Sequence, residues 1–127
     1  MIEIILLLTM MFMHIVDDYY LQGILSSLKQ KKWWRDNCPD DLYKNDYRIA
    51  LLEHAYSWSF VISIPVFIYL LYFNKLGAWF YVLFILNVIV HHLVDDLKAN
   101  KRTINLVQDQ LIHLSQIIFT WLIVILV

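Results

Sequence analysis

Long apolar runs separated by short polar linkers dominate this chain. Four runs stand out, at about Ile2–Leu25, Ile49–Phe73, Leu76–Leu97 and Val107–Val127. A helix rising about 1.5 Å per residue needs about 20 apolar residues to cross ~30 Å of hydrocarbon. Each run reaches that length once its polar end extends to the interface. The pattern predicts an all-α integral membrane protein, a single domain folded as a four-transmembrane-helix antiparallel bundle. Pro65 falls inside the second run and is expected to kink it. The N-terminal stretch MIEIILLLTMMFMHIVDD has no basic start and no small-residue cleavage signal, so it reads as a retained first helix rather than a leader.

The linkers are unequal. Residues 29–47 are long and charged, 74–77 form a tight turn, and 98–105 are short and basic. Lys29, Lys31, Lys32, Arg35 and Lys44 lie in the first, and Lys98, Lys101 and Arg102 in the third. By the positive-inside rule both basic linkers face the cytoplasm, and both termini and the 74–77 turn lie outside the inner membrane. Trp33, Trp34 and Trp79 sit near segment ends, where interfacial anchors belong.

Composition sharpens this picture. Apolar residues make up 61% of the 127 residues, against about 45–50% in soluble domains, and only two glycines and two prolines interrupt them. The net charge of −1 gives no basis for a nucleic-acid partner. Cys38 is the lone cysteine, which excludes an internal disulfide and a zinc-finger spacing.

The polar residues inside the runs are where chemistry enters. His14 and Asp18 close the first helix, and Glu53 and His54 open the second. His91 and Asp95 close the third, and Asp109 and His113 open the fourth. With the predicted topology, all four helices place histidine and acid at one cytoplasm-facing level. The pairs His14/Asp18, His91/Asp95 and Asp109/His113 are spaced i,i+4, which sets each on one helix face. Gln22 extends the first face by a turn, and Lys98 and Arg102 extend the third. His92/Asp96 is a parallel pair rotated by about 100°. The two helix pairs share this order of residues, as a distant duplication would leave it.

Each acid costs about 2.5–3.5 kcal/mol at the centre of a membrane helix. A divalent metal such as Zn, Mn or Fe offsets charge on that scale, and neutral imidazole and carboxylate suit it. Bundles build metal centres from such residues on facing helices. The candidate ligands are His14, Asp18, His54, His91, Asp95 and His113. They are enough for two metals, or for one whose histidines are held from behind by acids. Plainer readings stand beside this one. Asp17, Asp96 and Lys101 read as solvated helix ends, His92 as a spare interfacial histidine, and the basic linkers as topology signals. Glu53 and Asp109 could favour helix N-termini, and the His/Asp pairs could be buried hydrogen bonds without metal.

The motifs also carry a resemblance. HIVDDYYLQ fits H-x3-D-[FY]-x-L-Q (His14, Asp18, Tyr19, Leu21, Gln22), HHLVDDLK fits H-x3-D-x2-K (His91, Asp95, Lys98) and DQLIH fits D-Q-x2-H (Asp109, Gln110, His113). With His54 between them, they resemble a family of small integral membrane proteins of bacteria and their phages that carries no established activity. A looser likeness is to membrane-bound metal-dependent hydrolases, which implies a metal and hydrolysis. The resemblance favours His91/Asp95 over His92/Asp96, and Asp18 over Asp17.

Three functions follow as expectations. The first is a metal-dependent hydrolase at the cytoplasmic membrane face, with Glu53 or Asp109 moving the proton. In it Gln22, Lys98, Arg102 and Gln110 hold an anionic, phosphate-containing or lipid-linked substrate. The second is a cation or proton transporter. The third is a non-catalytic membrane protein with a structural polar or metal site, binding a partner through residues 29–47. Membrane lipid is a partner in all three, and a homo-oligomer is compatible with each.

Overall fold

A computed structural model describes residues 1–127. The chain is helical throughout and has no strand. Helix α1 spans Ile2–Val16 and continues into a π-helical turn, Asp17–Leu21. A reversal at Gly23, whose φ of 49° is left-handed and suits a residue without Cβ, leads into the short helix α2 (Leu25–Leu28). Helix α3 (Lys31–Asn37) and a 3₁₀ turn (Asp41–Tyr43) follow. The long helices α4 (Tyr47–Tyr72), α5 (Ala78–Ala99) and α6 (Leu106–Leu126) complete the chain.

Four helical stretches are long and apolar enough to cross a membrane: Ile2–Leu21, Asp41–Tyr72, Ala78–Ala99 and Leu106–Leu126. The protein is an all-α membrane bundle. Helix α4 runs unbroken through Pro65. The first span ends at Leu21 rather than near 25, because the π-helical turn and Gly23 stop it there. The 29–47 linker is not irregular, since α3 and the 3₁₀ turn occupy much of it. Helix α6 starts where Asn105 and Gln108 cap each other, each side chain accepting from the other's backbone N–H at 2.9–3.0 Å.

The interior divides along the bundle axis. At one end Leu6, Val66, Tyr69, Leu70, Leu83 and Val124 pack as an apolar core, with Met10, Ile62 and Ile117 below them. At the other end the buried side chains are His14, Asp17, Asp18, Lys29, His54, His91, Asp95, Asp109 and His113. Between the two, Asn87, Gln116 and Thr120 form a hydrogen-bonded polar layer. Asn87 Nδ2 donates to Thr120 Oγ1 (3.0 Å), and Gln116 Nε2 donates to Asn87 Oδ1 (2.8 Å). Ile4, Leu8, Phe12, Tyr81, Ile85 and Phe119 are among the large apolar residues left on the outside, as a lipid-facing surface requires.

Candidate metal centre

Three histidines from three helices converge on one carboxylate. Asp95 on α5 has His113 Nε2 3.3 Å from Oδ1, His54 Nε2 3.2 Å from Oδ2 and His91 Nε2 3.8 Å from Oδ1. The Nε2 atoms of His54 and His91 are 3.2 Å apart. Asp18 Oδ1 lies 3.6 Å from His54 Nε2, and Asp109 Oδ1 lies 3.4 Å from His113 Nε2. Two triads, Asp18–His54–His91 and His91–Asp95–His113, each bring their ligand atoms within 4.8 Å of one another. His91 belongs to both.

These groups could hold a metal ion, and the spacings fit one. Bonds of about 2.0–2.1 Å in a tetrahedral site set neighbouring ligand atoms about 3.3 Å apart. Charge points the same way. When ionised, the four buried aspartates outweigh the two lysines that pair with them, Lys29 and Lys98, by two negative charges. One divalent cation, or two protonated imidazoles, would balance that difference. The buried Nδ1 atoms of His54, His91 and His113 have no hydrogen-bond partner. His54 Nδ1 faces Asp17 Oδ2 across 3.9 Å, and that oxygen is also unpartnered. A proton on Nδ1 aimed at Asp17 leaves the Nε2 lone pair free for a metal.

A second chain of contacts fixes tautomers at the edge of the cluster. Trp58 Nε1 can only donate, and it donates to His14 Nδ1 at 2.8 Å. The neutral His14 ring therefore carries its proton on Nε2, which donates to Gln110 Oε1 at 3.0 Å. The Gln110 amide nitrogen then donates to Asp18 Oδ2 (3.2 Å) and Asp109 Oδ2 (3.1 Å). Both ring nitrogens of His14 are thus committed. It orients Gln110 instead of offering a lone pair to a metal. Trp58 also stacks on His91 at 4.2 Å between centroids, and His91 stacks on His113 at 4.1 Å. The ring stack holds both imidazole planes.

The bundle gathers most of the residues that the sequence singles out. His14, Asp18, His54, His91, Asp95, Asp109, Gln110 and His113 are in one cluster, and Lys98 joins it by donating to Asp109 Oδ2 at 2.5 Å. Three expected residues are elsewhere. Glu53 is exposed, because it precedes its neighbour His54 by about 100° around α4 and cannot share its inward face. Gln22 folds back to donate to the carbonyl of Asp18, because the π-helical turn ends the face it was expected to extend. Arg102 is exposed beyond the end of α5, so its i,i+4 relation to Lys98 carries no helical meaning.

Two further corrections concern residues taken for solvated or topological ones. Asp17 is fully buried and accepts from Ser57 Oγ at 2.7 Å. A π-helical turn is wider than an α-turn, which lets the successive residues Asp17 and Asp18 both face inward. Lys29 is 7% exposed and donates to Asp95 Oδ2 at 2.6 Å. The Gly23 reversal returns the chain to the bundle, and Asn100 pins it by donating to the Lys29 carbonyl (3.1 Å) and accepting from Lys31 N–H (2.7 Å). A metal bound to Asp95 must share that carboxylate with Lys29 or displace it. Asp96 and His92 are only partly buried and stay outside the cluster.

No family model matches this chain, and no curated protein or solved structure matches it.

Proposed function

We propose that the protein is a metal-dependent membrane hydrolase whose centre faces the cytoplasm. The observation that carries this reading is the convergence of three histidine Nε2 atoms on the Asp95 carboxylate at 3.2–3.8 Å, with the Nε2 atoms of His54 and His91 3.2 Å apart. His54, His91, His113 and Asp95 would hold the ion, with Asp18 as a further ligand on the His54 side. Bound there, a divalent metal would supply a water nucleophile near neutral pH and polarise the scissile group.

The chain's own residues do the rest. Asp109 Oδ2 is held by Lys98 and Gln110, while its buried Oδ1 has no hydrogen-bond partner. That free oxygen is the proton acceptor of the reading. Gln110 fixes the orientation of Asp18 and Asp109 together. The side chain of Lys98 is 28% exposed, the most open of the cluster's charged groups, and it meets an incoming anionic group first. A phosphate- or ester-containing lipid suits a site at this depth. Asp17 orients His54 from behind. Glu53 and Arg102 take no part.

The two basic linkers meet at the same end of the bundle as the cluster, through Asn100 and Lys29, which supports a cytoplasmic orientation. The polar layer of Asn87, Gln116 and Thr120 gives way to Leu83, Val124 and Tyr69, which weighs against a cation path through the bundle.

Elemental mass spectrometry on protein purified without chelator tests the reading, beside folded His91→Ala and His113→Ala variants. Stoichiometric Zn, Mn or Fe in the wild type, lost in both variants, supports it. A screen of phosphate and ester substrates with lipid carriers then follows. A folded wild type that holds no metal and takes up none rules out the mechanism as written.

A further inference from the structure

A second polar site lies outside the bundle. A cavity of about 490 Å³ opens between the α3 hairpin and the turn that joins α5 to α6. Five cations line it: Lys31, Lys32, Arg35, Lys44 and Arg102. Some are already paired. Asp36 accepts from Lys32 at 2.7 Å and from Arg35 at 3.3 Å, and Asp41 lies 3.8 Å from Lys44. Asp40, also on the wall, accepts from the backbone N–H of Leu42. Lys31 and Arg102 have no acid within 4 Å, so the cavity keeps two unpaired positive charges.

The backbone at Arg102 is the second observation. Its φ is 55°, in the left-handed region. Lys101 N–H donates to Asp96 O and Thr103 N–H to Leu97 O, both at 3.0 Å, which closes the C-terminus of α5 around it. Glycine or asparagine normally occupies such a closing position, because a longer side chain strains it. Asn74, the other non-glycine residue with positive φ, follows that habit. Arg102 does not. The sequence accepts strain to place a guanidinium at this wall.

The cavity's height in the membrane names the ligand. Ala99, the last residue of the α5 span, and Asn100, which caps it, form part of its lining, so it opens where a lipid presents its phosphate. Trp34 lines it too, in edge-to-face contact with Trp33 (5.1 Å) and stacked on Tyr43 (6.4 Å). Aromatic residues beside basic ones are the make-up of a headgroup-level surface. Guanidinium and ammonium groups together suit a phosphodiester. We propose that this cavity binds the headgroup of an anionic phospholipid, with Arg102 and Lys31 on its phosphate. The site is independent of whether the buried cluster holds a metal.

The test is native mass spectrometry of the intact protein, released from nanodiscs of equimolar phosphatidylglycerol and phosphatidylcholine. The wild type is expected to keep phosphatidylglycerol selectively. Arg102→Gly removes the guanidinium while relieving the backbone, so it should fold at least as well as the wild type. Its preference should fall about fivefold, and that of Lys31→Gln by a similar factor. Arg48→Gln removes an exposed cation outside the cavity and should leave the preference unchanged. Equal retention of the two lipids overturns the proposal. So does an Arg102→Gly, Lys31→Gln double variant with undiminished preference, or an equal loss in Arg48→Gln. Full displacement of the lipid by millimolar inorganic phosphate would reassign the cavity to a free anion.

Discussion

Replacing Lys29 by Met puts the centre of the cluster under direct test. The side chains of Lys29 and Asp95 are 8% and 3% exposed, and their charged atoms are 2.6 Å apart. Breaking a pair that is so well buried by removing one partner costs about 3–5 kcal/mol, because the other charge is stranded. Met keeps the length of the stem, so little cavity term is added. Three imidazoles within 3.8 Å of Asp95 can replace part of the lost interaction by taking up a proton, which places the loss near the lower end, about 3 kcal/mol. For a chain of this size that corresponds to a fall in Tm of about 10 °C. The assay is thermal unfolding in detergent after treatment with chelator, then with Zn or Mn added back. A metal at 100 times its Kd restores about 2.7 kcal/mol. Lys29 and the metal compete for Asp95, so the variant should gain more from metal than the wild type does. An unchanged Tm in chelator would refute the buried pair. Equal metal stabilisation of both proteins would refute the competition.

Other changes probe single links. Trp58→Phe keeps an aromatic ring against His91 but removes the donor to His14 Nδ1, and should cost about 1 kcal/mol in the same unfolding assay. Trp58→Ala also opens a cavity and should cost about 3–5 kcal/mol. Asn105→Ala removes the reciprocal cap of α6 and should cost about 1 kcal/mol without altering metal content. Metal affinity measured by chelator competition should fall as pH drops, because imidazole and carboxylate bind metal only when deprotonated. Cys38 is the only cysteine and lies on the basic hairpin. In intact cells, or in spheroplasts where an outer membrane is present, an impermeant maleimide should label it only after the inner membrane is opened. Labelling before that would reverse the orientation.

How much of this was legible in the sequence depends on which rule each residue obeys. The four spans follow from apolar run length, which needs no tertiary information. His14, Asp18, His91, Asp95, Asp109 and His113 follow from i,i+4 spacing within regular helix, and the bundle brings them together. The same spacing reaches one residue more. Trp58 is four residues from His54 and shares its face, yet an aromatic residue in a greasy helix reads as packing. Glu53, one residue from His54, could have been set aside by the 100° rotation between neighbours. Asp17 and Lys29 are different in kind. Asp17 turns inward through a π-helical turn, which α-helical periodicity does not contain. Lys29 reaches Asp95 across 66 residues through a glycine reversal and an asparagine clasp.

Those two residues change what the cluster is. Without them, the sequence gives histidines and acids that want a cation from outside. With them, the bundle already supplies a cation of its own at Asp95 and a carboxylate behind His54. A chain that needed only to bury its acids could have paired each with a lysine, as it does at Asp95 and Asp109. Asp18 has no such partner, and its oxygens face His54 and the Gln110 amide instead. Asp17 has none either, so the uncompensated charge sits with Asp17 and Asp18, on the His54 side of the cluster. On the proposed reading, an ion held by His54, His91, His113 and Asp95 therefore draws its remaining charge from Asp18, and it binds more tightly once Lys29 no longer competes for Asp95. Asp18→Asn should then weaken metal binding in a titration, while Lys29→Met strengthens it. Unchanged affinity in Asp18→Asn would mean that the ion does not draw on that carboxylate.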